Sequence, residues 1–114
     1  MAGCIFCGIA NGEVPADVVY QDDDVVAFRD LDPKAPTHVL VIPRRHLTSI
    51  DAMAPGDEPL IGRLFAAAKT VAREAGIDSS GYRMVTNVGN DAGQSVEHLH
   101  VHVLGGRRMT WPPG

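Results

Sequence analysis

The amino-acid sequence predicts an α+β fold, a five-stranded antiparallel sheet carrying one long helix, with a short helical segment at the N-terminus. Three observations carry this reading. Five short apolar stretches rich in β-branched residues are punctuated by Gly, Pro and Asp, as strands are. One longer stretch repeats its apolar residues at helical spacing. The chain has 114 residues, enough for one hydrophobic core but too few for two, so residues 1–114 are expected to form a single domain without internal repeat or linker.

Val18-Val19-Tyr20 and Val25-Val26-Ala27-Phe28 read as strands joined by the acidic turn Asp22-Asp23-Asp24 into a hairpin. Thr37 to Ile42 reads as a third strand between Pro36 and Pro43, whose missing N–H groups suit strand ends. From Pro59 to Ala75, Leu60, Leu64, Ala68, Val71, Ala72 and Ala75 form one helical stripe, with Lys69, Arg73 and Glu74 largely opposite. Asp57 and Glu58 complement the positive end of that helix, Pro59 fits its first turn, and Gly76 stops it. Gly81 to Val88 and Glu97 to Leu104 read as the last two strands, separated by the polar loop Gly89 to Ser95.

Composition narrows the function. With 45% hydrophobic and 21% charged residues the chain has the makeup of a folded domain. A net charge of −4 makes a long nucleic acid a poor partner, while a small phosphate ester needs only a local pocket of donors. Apolar runs such as Val39 to Ile42 fall far short of the ~20 residues of a membrane span. The N-terminus has neither a basic start nor an extended apolar stretch, so a cytoplasmic location is expected.

The chemistry concentrates in Glu97-His98-Leu99-His100-Val101-His102-Val103-Leu104. Successive strand side chains point to opposite faces, so His98, His100 and His102 are expected on one face and Leu99, Val101 and Val103 on the other. Three imidazoles at steps of roughly 6.5 to 7 Å suit a metal or a phosphate. A lone histidine on such a face would be unremarkable. Three in strict alternation, after a glycine-containing loop and before Gly105-Gly106, point to a site.

This segment resembles the signature of the histidine triad (HIT) family, alternating His with apolar residues. The likeness runs through Pro36 to Pro43, Asn87, Gly93-Gln94-Ser95-Val96 and the ending Gly105 to Gly114, which looks like that of the Hint branch. It implies a HIT-like fold, a homodimer, and hydrolysis of the P–N bond that links AMP or GMP to an alkyl or aminoacyl amine. On that resemblance His100 is the nucleophile, forming a nucleotidyl-imidazole intermediate, which suits imidazole because it is largely neutral near pH 7. His102, Ser95 and the N–H groups around Gly93 and Gln94 are expected to stabilise phosphate charge, and His98 to complete the catalytic histidines. Asp30 matches the ribose-binding carboxylate. Ile5, Phe6, Ile9, Phe28 and Leu31 are expected to line the purine slot, each equally compatible with plain core, and Asn87 to contact sugar or phosphate.

Cys4 and Cys7 are the only cysteines, and two thiolates alone cannot complete a tetrahedral zinc site. By resemblance to zinc-containing members of the superfamily, His46 and His98 supply the remaining ligands, giving a structural Cys2His2 zinc site. A redox pair would belong to a different fold. His38 receives no role beyond that of a satisfied core or turn histidine. The competing functions are dinucleoside polyphosphate hydrolysis of the Fhit type and a nucleotide-binding scaffold. Glu97, where an aromatic is frequent, and Asp32, where a small residue is usual, depart from the Hint pattern near the site and leave the leaving-group preference open.

Overall fold

The computed structural model describes residues 3–114. In chain order it contains helix α1 (Ile5–Ala10), strands β1 (Val18–Gln21), β2 (Val25–Arg29) and β3 (Thr37–Pro43), a 3-10 turn at Ile50–Ala52, helix α2 (Glu58–Glu74), and strands β4 (Tyr82–Val85) and β5 (Val101–Gly105). The strands form one antiparallel sheet in the order β1-β2-β3-β5-β4. The acidic turn does join β1 to β2. Asp22 holds it, its carboxylate accepting the N–H groups of Asp24 and Val25, both at 2.8 Å.

The two-residue period of the strands divides the core. Val25, Ala27, Val39, Val41, Val101 and Val103 face α2, which covers them with Leu64, Ala67, Ala68, Val71 and Ala72. Val26, Phe28, Leu40 and Ile42 point the other way and pack against Phe6 and Ala10 of α1. Removing a Val or Leu side chain from water contributes about 1.5–3 kcal/mol, so both layers are needed to hold a sheet whose central strands are apolar on each side. α1 is too short to be stable alone. It is held by its apolar residues and by Cys4, whose sulfur caps the N–H of Cys7.

Two strands are shorter than the sequence suggests. β4 stops at Val85 rather than Val88, and β5 begins at Val101 rather than Glu97. Backbone groups between Glu97 and His100 find partners outside the strand ladder. The Leu99 N–H donates to Leu47 O at 2.6 Å, and Thr86 Oγ1 donates to His100 O at 2.9 Å. His98 and His100 therefore stand on a bent approach to β5, and only His102 belongs to the strand. The apolar alternation survives, with Leu99, Val101 and Val103 all in the α2-side core.

β5 ends in two glycines for different reasons. A Cβ on Gly105 would lie 2.6 Å from Ile77 Cδ1, and Gly106 has a φ of +88°, which favours glycine. Among the described residues no helix is long and apolar enough to cross a membrane.

Candidate functional site

On the α1 side of the sheet, His100 and His102 open onto a cavity of about 350 Å³. Ile5, Phe6 and Ile9 of α1 form one wall, Phe28 and Leu40 the floor, and Asp30, Leu31 and Ser95 the rim. The site is thus assembled from the N-terminal helix, the central strands and the segment leading into β5. Phe6 anchors it. Its ring stands edge-on to Phe28, His98 and His100, with centroids 5.4, 6.0 and 5.3 Å away. Leu31, 97% exposed, projects into solvent at the mouth.

Hydrogen bonds determine which nitrogen of each histidine carries its proton, because a neutral imidazole has one donor and one acceptor. The backbone N–H of Lys34 donates to His38 Nδ1 at 3.0 Å, so the proton of His38 sits on Nε2. That Nε2–H donates to His102 Nδ1 at 2.9 Å, leaving the proton of His102 on Nε2. Burial, with His100 and His38 close by, pushes His102 down to about 4, and burial likewise lowers His38, so both are neutral near pH 7. The Nδ1–H of His100 donates to the carbonyl of His98 at 2.7 Å. That bond leaves Nε2 of the His100 imidazole as the nitrogen able to present a lone pair, while His102 Nε2 is a fixed donor on a ring whose centroid lies 5.0 Å from that of His100.

A second cluster lies behind the first. Cys4, Cys7, His46 and His98 bring one ligand atom each to within 4.8 Å of the others. Cys4 Sγ and Cys7 Sγ stand 3.4 and 3.5 Å from His98 Nδ1, Cys7 Sγ is 3.3 Å from His46 Nδ1, and the two Nδ1 atoms are 3.1 Å apart. A tetrahedron with zinc–sulfur and zinc–nitrogen bonds of ordinary length has edges of roughly 3.3–3.8 Å; the three sulfur–nitrogen separations fall in that range, and the two Nδ1 atoms, 3.1 Å apart, stand slightly closer than it. The Nε2–H of His98 donates to Pro43 O at 2.9 Å, which turns its Nδ1 lone pair toward the thiols, the orienting bond that metal-binding histidines commonly make. Burial raises the Cys7 thiol. A cation would reverse that by stabilising the thiolate. Asp30, His38 and His102 also converge, but the proton on His38 Nε2 is donated to His102, and Asp30 Oδ2, 3.5 Å from the same nitrogen, is an electrostatic neighbour.

Of the residues expected at the nucleotide, Ile5, Phe6, Ile9, Phe28, Asp30, Leu31, Ser95, His100 and His102 line the cavity. Asn87, Gly93 and Gln94 do not. Gln94 instead braces the loop, its side chain accepting from the Gly89 N–H at 3.0 Å and donating to Thr48 O at 2.6 Å and Val96 O at 3.1 Å. His98, expected among both the catalytic and the metal residues, turns its ring to the cysteines, and only its carbonyl serves the cavity. His38 is the residue that sequence reasoning missed. Its register opposite Leu104, one position before Val39 faces Val103, brings it to His102 from a different strand. Only the pairing of β3 with β5 reveals that contact.

A string of histidines on an open-edged antiparallel sheet, backed by a short helix, is the architecture of a histidine triad protein. The family model described as HIT domain matches residues 11–109, and the chain belongs to the HIT domain family. An uncharacterised HIT-like protein of Synechocystis is 48% identical over 110 residues, which covers 96% of each chain. Among solved structures, a HIT family hydrolase from Legionella pneumophila superimposes with a TM-score of 0.96 at 48% identity, covering 98% of this chain and 100% of that one. A HIT family hydrolase from Clostridium thermocellum gives a TM-score of 0.94 at 40% identity, with 96% of both chains covered.

Proposed function

We propose that this protein hydrolyses purine nucleoside 5′-phosphoramidates, releasing the nucleoside monophosphate and an amine. The observation that carries the reading is the bond from His100 Nδ1 to the carbonyl of His98, which leaves the Nε2 lone pair free at a cavity walled by apolar side chains. The base is taken by Ile5, Phe6, Ile9, Phe28 and Leu31, and the ribose hydroxyls by the Asp30 carboxylate. His100 Nε2 attacks the α-phosphorus, the P–N bond breaks, and the amine departs with a proton supplied through Ser95 or solvent. Water then attacks the nucleotidyl-imidazole, and breaking of the P–Nε2 bond frees His100 and the monophosphate. Throughout, His102 Nε2–H donates to a phosphate oxygen, its tautomer held by His38. The Hint-like ending and the likeness to HIT family hydrolases support this reading over a scaffold role.

Cys4, Cys7, His46 and His98 are the residues that would hold a structural zinc ion, whose contribution is to tie α1 to the segment before β5. The protein is further proposed to act as a homodimer.

Steady-state kinetics on an adenosine phosphoramidate, beside calorimetric AMP binding, test the reading. His100→Ala is expected to lose nearly all turnover while AMP still binds, and His100→Asn or His100→Gly to retain uncleaved substrate. An alanine variant with most of the wild-type rate would remove His100 from the mechanism. Faster attack on diadenosine polyphosphates than on the phosphoramidate would move the protein to the Fhit type of activity.

A further inference from the structure

The nucleotide cavity does not end at Ser95. A second groove of about 640 Å³ continues past it, lined by Cys4, Ile5, His46, Thr48, Gln94, Ser95, Val96 and Glu97, and it shares Ile5, Ser95 and Val96 with the cavity. With the nucleoside in the cavity and the phosphorus at His100, His102 and Ser95, this groove is where a group attached to the phosphorus continues. Its walls have a definite chemistry. Ile5, 53% exposed, and Val96 offer an apolar surface next to Ser95. Among the described residues, Glu97 contributes the only carboxylate and no Lys or Arg lines the groove. With a divalent ion held there, the cysteine side chains would not offset it, because two thiolates and the ion would sum to zero charge.

Resting on the phosphoramidase reading, we infer that this groove is a leaving-group subsite selecting amines that carry a second, cationic group on a short alkyl spacer. The spacer lies along Ile5 and Val96, and the distal ammonium meets the exposed Glu97 carboxylate. Ser95 and Glu97 are two positions apart, with Val96 between them, so their Cα atoms are no more than about 7 Å apart, a span that a four-carbon diamine reaches. Because Glu97 is exposed, the attraction is that of a surface ion pair, and a preference of roughly two- to fivefold is expected. Glu97 is thus a specificity residue and takes no part in the chemical step.

The test compares kcat/KM for the adenosine 5′-phosphoramidates of butane-1,4-diamine and of n-pentylamine, which match in length and differ in the terminal charge. Wild-type protein should favour the diamine derivative roughly two- to fivefold at low ionic strength. The ratio should approach one in 1 M salt, where the Debye length is about 3 Å. In Glu97→Gln the ratio should fall to about one, and in Glu97→Lys the n-pentylamide should be preferred. A wild-type ratio of one, or a preference that persists undiminished in Glu97→Gln, overturns the subsite. Turnover of the n-pentylamide by wild-type protein reports separately on the parent reading. If neither amidate is cleaved, that reading fails and the subsite falls with it.

Discussion

His38 shows how one buried side chain governs another. It touches the site through its bond to His102, and with the Lys34 N–H fixing its own proton on Nε2, that bond decides which nitrogen of His102 faces the cavity. His38→Ala should therefore lower kcat on the order of 10- to 100-fold with little change in KM, less than the ~10²–10³ typical of losing a direct donor. Equal losses in AMP affinity and kcat would instead mark His38 as a residue that merely holds the pocket open. The depressed imidazoles also predict a pH dependence of stability. His102 titrates near 4 in the folded chain, against an ordinary value of about 6.5 when unfolded, so between these values the unfolded state binds more protons. The stability it contributes is complete above about pH 6.5 and is lost as pH falls toward 4, and burial of His38 acts in the same direction. Thermal melts across that range should show a falling Tm, with a smaller fall in His102→Gln.

At the scale of elements, α1 joins the two clusters. Its N-terminal turn carries Cys4 and Cys7, and its body carries Ile5, Phe6 and Ile9 of the cavity wall. A helix of 6 residues has little stability of its own, so its position depends on what it packs and ligates. Elemental analysis of protein purified without chelator is expected to find about one zinc per chain. Cys4→Ser should lower metal content and Tm together and should also weaken AMP binding, because the same helix forms the pocket wall. Normal melting of a metal-free protein would dispose of the site. Phe6→Ala, which empties the space between Phe28, His98 and His100, should cost about 3–5 kcal/mol of stability and reduce AMP affinity, as read by denaturant unfolding and calorimetry.

For the whole molecule, the sheet order leaves β4 on an edge, with no strand among the described residues on its outer side. Met84 on β4 and Phe65 on α2 are large apolar residues left about 40% exposed. A two-fold pairing that extends the sheet through β4 would cover an edge of this kind. Light scattering is expected to give twice the chain mass, and Met84→Lys to shift the protein toward the monomer. Within one chain the C-terminal tail is tied back by Arg83, which donates to Thr110 O at 3.0 Å, while Trp111 remains 81% exposed. That exposed ring suits a role at a partner's site. Truncation after Arg108 should then change leaving-group preference more than AMP affinity, and an unchanged substrate profile would leave the tail without such a role.

The alternation Leu99, Val101 and Val103 against His98, His100 and His102 was legible in the sequence because the two-residue period of extended chain dictates it locally, and the hairpin at Asp22 to Asp24 and the helix ending at Gly76 were legible because turn residues, helical spacing and a glycine stop also act locally. The convergence of Cys4, Cys7, His46 and His98, and most of the residues lining the cavity, followed from the resemblance. What local pattern does not contain is who sits across from whom. The registry of β3 against β5 brings His38 to His102, the bend before Val101 aims the ring of His98 at the cysteines and its carbonyl at His100, and loop packing withdraws Gln94 from the cavity to brace Thr48 and Val96. These are contacts between segments far apart in the chain. Their geometry is set by packing of the whole sheet against two helices, so only the tertiary structure decided them.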